Sequence, residues 1–209
     1  MSARPATLLG LALCLGVGSL PFPVWLRQLT DVTHMVAVEL VYWGLVAAVF
    51  LHVSRVERRP LSSIGLVSTD ARGIIAAFGV AVAMLAGLWV IFARVLPALS
   101  LAEDTRMDRL LATPLWWRVV SSVRAGVSEE VLFRGYPIVR LGELGAPRAI
   151  VLGLPLVVFT VAHVGPWDVG HLLIAGFGGA MLTGLYVWRR NLWVNMLAHC
   201  LVDLVAVVA

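Results

Sequence analysis

This sequence has little charge. Asp, Glu, Lys and Arg make up 13% of its 209 residues, against about a quarter in a soluble domain. Hydrophobic residues supply 60%, and the mean hydropathy is +0.93. Together these values exclude a soluble globular domain, and the length suits one helical bundle better than several domains. Cysteine is scarce as well. Cys14 and Cys200 stand in apolar stretches near opposite ends of the chain. They read as buried thiols, which excludes a disulfide framework and a Cys-rich metal site. No repeat or low-complexity segment is visible. There is no HExxH, so the helical zinc-protease motif is absent. The net charge is +4, but the arginines fall in short clusters between apolar runs, which is no nucleic-acid signal.

What is present is apolar helix. Segments near 6–26, 33–53, 73–96, 115–140, 147–164, 170–188 and 191–208 each approach the ~20 residues that a helix needs to cross ~30 Å of hydrocarbon. The expected fold is all-α, a polytopic transmembrane helical bundle of about seven spans. The first segment reads as a retained span rather than a signal peptide, because Pro21-Phe22-Pro23 follows it without a small-x-small cleavage site. Arg55, Arg58, Arg59 and Arg72 crowd the second connection, Arg140 and Arg148 the fourth, Arg189 and Arg190 the sixth. The first, third and fifth connections are poorer or mixed, with Arg27 and Asp31, then Arg106 and Arg109 among Glu103, Asp104 and Asp108, then Asp168 alone. The positive-inside rule then sets the even-numbered connections and the N-terminus in the cytoplasm, as expected for a bacterial inner (plasma) membrane protein. Trp116 and Trp117 fit an interfacial anchor at the outer end of the fourth span. The connection from Ser54 to Arg72 divides N-terminal spans, residues 1–72, from a membrane-embedded core, residues 73–209.

Within that core stands Ser128-Glu129-Glu130-Val131-Leu132-Phe133-Arg134. An acidic residue at mid-span is costly by about 2.5–3.5 kcal/mol and usually lines a polar cavity or pathway. Glu130 and Arg134, at i and i+4, share a helix face and can pair. Glu129 is rotated about 100° away and is left free for chemistry. The fifth segment ends at Phe159 and His163, and the seventh carries Asn195, His199 and Asp203 on one face. His34, His52 and His171 lie near span ends and read as satisfied helix-end histidines. Two histidines and a carboxylate pair on three helices suffice to activate a water, in either of two versions. In one, Glu129 is the general base and a histidine shares the water, while the second histidine with Asp203 or Asn195 supports the oxyanion. In the other, Glu129, His163 and His199 bind a zinc ion whose water is the nucleophile.

The ordered set EExxxR (Glu129, Glu130, Arg134), FxxxH (Phe159, His163) and NxxxHxxxD (Asn195, His199, Asp203) resembles the CPBP group of intramembrane proteases. That group includes the CAAX prenyl endopeptidases of Rce1 type and the bacterial Abi or lysostaphin-resistance-like proteins. The resemblance covers roughly residues 110–209. It implies that Glu129 activates water with His163, that Glu130 pairs with Arg134, and that His199 and the residue at 203 support the oxyanion. The family more often has Asn where this chain has Asp203, and an ionised Asp facing an oxyanion would repel it, so Asp203 must be protonated, serve as a ligand or orient His199, the last being the role expected here. The resemblance implies an intramembrane endopeptidase, of glutamate or metallo type, that cuts near the C-terminus of a membrane protein or lipidated peptide. Zinc is the only cofactor in view, membrane lipid is a partner, and nucleic acid is not. The rival classes are a transporter using the same carboxylates, which lacks the duplicated halves such proteins show, and a non-catalytic scaffold or immunity protein.

Overall fold

The computed structural model describes residues 3–26, 31–101, 105–164 and 170–208. It is 86% helical, in eight helices, with no strand among the described residues. Helix α1 covers 3–19, α2 Asp31–Val56, α3 Ala71–Ala98, α4 Thr105–Leu111, α5 115–143, α6 Arg148–Ala162, α7 His171–Arg189 and α8 Leu192–Val208. By length and composition, α2, α3 and α7 are long and apolar enough to cross a membrane, while α1, α6 and α8 are shorter apolar helices. Helix α5 carries the charges that interrupt an apolar run. Such a chain has no other way to satisfy its backbone in lipid than as helices, and the protein is an integral membrane helical bundle.

Local chemistry marks the helix ends. The Asp70 carboxylate accepts from the Gly73 N–H at 2.8 Å and caps α3. The Asn191 side chain accepts from the N–H groups of Trp193 and Val194 and caps α8. Gly65 turns at φ +93°, where a side chain would be strained, and its carbonyl accepts from Leu192 N–H at 2.7 Å. Pro21 follows closely on the end of α1, and a single helical turn, Phe22–Trp25, replaces the last part of the first expected span. The fifth expected span is also shorter than its apolar run, so His163 stands just past the end of α6.

Two apolar clusters hold the bundle together. In one, Cys14 of α1 and Val49 and Val53 of α2 pack against Val131, Leu132 and Tyr136 of α5. In the other, Ala77, Ala81 and Met84 of α3 meet Leu182 and Leu185 of α7 and Ala198 and Val202 of α8. The alanines let these backbones approach closely, as membrane helices require. The first cluster runs across the connection at 54–72, so the N-terminal helices and the later ones share a core. Cys200 is half-buried rather than buried, and both cysteines are free thiols.

Candidate active site

Helices α5 and α8 can meet because α5 carries Gly126 where a side chain would run into Cys200. Their contact sets the Asn195–Asp203 face of α8 against the two glutamates. Directly after Glu130, Val131–Gly135 winds as a π-helical turn, a form often found at functional sites.

Glu130 is enclosed. Its Oε1 accepts from Arg134 Nη1 at 2.9 Å and lies 2.9 Å from His199 Nδ1, while Oε2 accepts from Asn195 Nδ2 at 3.0 Å. Asn195 also donates to the Leu182 carbonyl at 2.7 Å. The Arg134 guanidinium lies 4.1 Å from the centroid of the Phe159 ring and donates to the Gly179 carbonyl at 3.4 Å. A Cβ at Gly179 would come within 2.8 Å of Leu156 and 2.9 Å of the Phe159 ring, so one of these side chains would have to move aside. With side chains 0% and 1% exposed, Glu130 and Arg134 form a fully desolvated ion pair, braced from α7 and α8 and by Phe159 of α6.

Glu129 is placed differently. Its side chain is 18% exposed, and together with His163, His199 and Asp203 it lines a cavity of about 430 Å³ whose other walls are mainly apolar. Glu130 is not part of that lining. Nε2 of His199 faces two carboxylates, Glu129 Oε2 at 3.7 Å and Asp203 Oδ2 at 3.5 Å. Nδ1 of His163 is 2.7 Å from the Phe159 carbonyl. A carbonyl only accepts, so Nδ1 carries the proton, and a neutral ring then offers its Nε2 lone pair as an acceptor. The His163 ring stacks on that of His171 with centroids 5.8 Å apart, and both line the cavity with His34. Trp117 also turns inward to line it, while Trp116 stays 54% exposed; only the latter has the exposure of an interfacial anchor.

Three arrangements around the site escape a reading of the sequence alone. Arg124 of α5 donates from Nε to Glu39 of α2 at 3.0 Å and lies over the Tyr42 ring at 4.6 Å. Glu39 does stand alone as an acid in an apolar segment, and that is a signal that it needs a partner. Arg140, 0% exposed, is held by Glu57 at 2.6 Å, and Tyr136 donates to the same carboxylate at 2.7 Å. At the rim, Arg59 makes a two-pronged pair with Glu143. Those hydrogen bonds hold the Glu143 carboxyl below the usual carboxylate range.

Among the described residues no three His, Cys, Asp or Glu side chains are disposed to hold a metal ion. Glu129, His163 and His199 therefore give the zinc alternative no preformed donor set, and His199 Nδ1 is already committed to Glu130.

Fold and site together define a polytopic membrane protein with a mainly apolar cavity, bearing carboxylates and histidines, inside its helical bundle. Residues 111–205, which span α5 to α7 and most of α8, match the family described as Type II CAAX prenyl endopeptidase Rce1-like. The match agrees with the resemblance read from the motifs and supports protease activity of the intramembrane endopeptidase kind in general. No curated protein and no solved structure matches the chain.

Proposed function

We propose that the protein hydrolyses a peptide bond, near the C-terminus, of a membrane-anchored or lipidated protein or peptide, as in CAAX-type or C-terminal sorting-signal processing. The observation that carries this reading is the division of labour between adjacent glutamates. Glu130 is sealed into an ion pair, and Glu129 shares a mostly apolar cavity with His163, His199 and Asp203. Glu129 takes a proton from a water that also donates to His163 Nε2, and the hydroxide adds to the scissile carbonyl carbon. His199, held by Glu130 at Nδ1, turns Nε2 toward the cavity and donates from it to the resulting oxyanion, with the Asp203 carboxylate beside the ring. The C–N bond then breaks, and Glu129 returns its proton to the leaving amine. The direct test is cleavage of membrane-anchored reporter precursors by the purified protein in proteoliposomes, with and without a metal chelator. Equal rates in both conditions are expected. No cleavage of any anchored precursor would count against the hydrolytic reading, and loss of rate with the chelator against the role given to Glu129.

Asp203 acts through His199 in this scheme, and Asp203→Asn tests that role. The variant should remain active but slower by roughly ten- to hundredfold in kcat, the weight of one hydrogen bond to a charged group. A variant as fast as the parent would instead make residue 203 a neutral donor to the oxyanion, a part that asparagine plays equally well.

A further inference from the structure

The ion pairs fix which connections lie together. Arg59 and Arg140 reach Glu143 and Glu57, and Arg189 reaches Asp70. The second, fourth and sixth connections therefore gather at one end of the bundle. Arg4 joins them there, lining a hollow with Arg55, Arg58 and Glu143. At the opposite end Arg118 donates to the Val207 carbonyl and His163 stacks on His171.

The cavity belongs to that second end. Its lining includes Pro21, His34, Leu110, His163, His171 and Val207, and no described residue of the arginine-rich connections. Asp203 stands five residues before Val208, where α8 ends, which is about 8 Å of helix. Basic residues near helix ends stay on the cytoplasmic side, and acids have little say in orientation. All basic residues here are arginine. The arginine-rich end carries Arg55, Arg58, Arg59, Arg140, Arg189 and Arg190, among others. Among the described residues, the helix ends at the cavity end carry Arg94 and Arg118 beside Asp31 and Asp108.

From this we infer that the cavity is served from the extracytoplasmic face, so that its substrates are anchored precursors whose scissile bond enters the bundle from the outer side. Lipidated tails displayed in the cytoplasm are on the wrong side. The inference rests on the hydrolytic reading above for the word substrate, while the sidedness stands on the bundle alone. The apolar walls suit an anchor segment that enters the cavity from its outer end and reaches down to Glu129.

Sidedness can be read without any cleavage. Leu111 and Leu144 are exposed, 40% and 36%, at the cavity end and the arginine end respectively. Leu111→Cys and Leu144→Cys are treated in intact cells with a membrane-impermeant maleimide, against the parent protein as the blank for its own thiols. Leu111→Cys should label in intact cells, and Leu144→Cys only after permeabilisation. The reverse pattern, or labelling of both in intact cells, overturns the inference. A second arm gives the cells one anchor segment in two reporters inserted in opposite orientations. Only the reporter presenting its junction outside should be shortened, and shortening of the inward one alone also overturns the inference. The expected labelling with neither reporter cut would overturn the hydrolytic reading and leave the sidedness in place.

Discussion

Glu130→Gln is expected to cost about 3–5 kcal/mol of stability, because removing one member of a buried ion pair strands the other. Glutamine keeps the length of the side chain and can still meet Asn195, so the loss isolates the charge. Arg134 would be left at 1% exposure with no anionic partner among the described residues, only an amide oxygen, the Gly179 carbonyl and the face of Phe159. His199 would lose the carboxylate that steadies Nδ1. Against a typical total stability of about 5–15 kcal/mol, a change of this size should appear as a large fall in folded, monodisperse protein and in melting temperature. The double change Glu130→Gln with Arg134→Met should restore much of the stability, since a buried pair replaced by uncharged groups is often neutral. It should not restore full activity. Normal yield and melting of Glu130→Gln alone would show that Glu130 does not serve the structure in this way.

The second large effect is on rate. Glu129→Gln should lower kcat by about 10²–10⁴-fold, the usual contribution of a general base, and leave the melting temperature close to that of the parent. Its carboxylate is 18% exposed, faces the cavity and, among the described residues, makes its one ion pair with His199 Nε2, at 3.7 Å. Nothing in the packing depends on its charge. The two adjacent glutamates thus predict opposite phenotypes, one lost in the fold and the other in the chemistry. Kinetics in proteoliposomes combined with thermal melts separate them. A Glu129→Gln protein within tenfold of the parent rate would remove Glu129 from the base role and point to His163.

The helices were legible because apolar runs of the required length have few alternatives in lipid. The Glu130–Arg134 pair was legible because it is local: i and i+4 are neighbours in any helix. For the same reason Asn195, His199 and Asp203 could be placed on one face. Distance in sequence hid the rest. Glu130 also meets His199 and Asn195, which lie 69 and 65 residues away, and no periodicity reports such a meeting. Trp117 looked like its neighbour Trp116 because a helix turns successive side chains by about 100°, and only the packing decides which one faces inward. The stacking of His163 on His171 depends on how α6 and α7 approach each other. Sequence spacing shows only that both lie near helix ends.

The ion pairs that cross from the early helices to α5 bear on what can be cut away. The family match begins at Leu111, yet Arg140 and Arg124 within it are neutralised by Glu57 and Glu39, which precede it. A fragment trimmed to the matched residues would leave the largely buried Arg124 guanidinium without its carboxylate, and the fully buried Arg140 with the half-exposed Glu143 alone in place of Glu57. Loss of a buried charged partner costs on the order of 3–5 kcal/mol, comparable to the whole stability of many proteins. The stretch that carries the chemistry and the stretch that can fold on its own are therefore different lengths of chain. The shortest autonomous piece must reach back through α2.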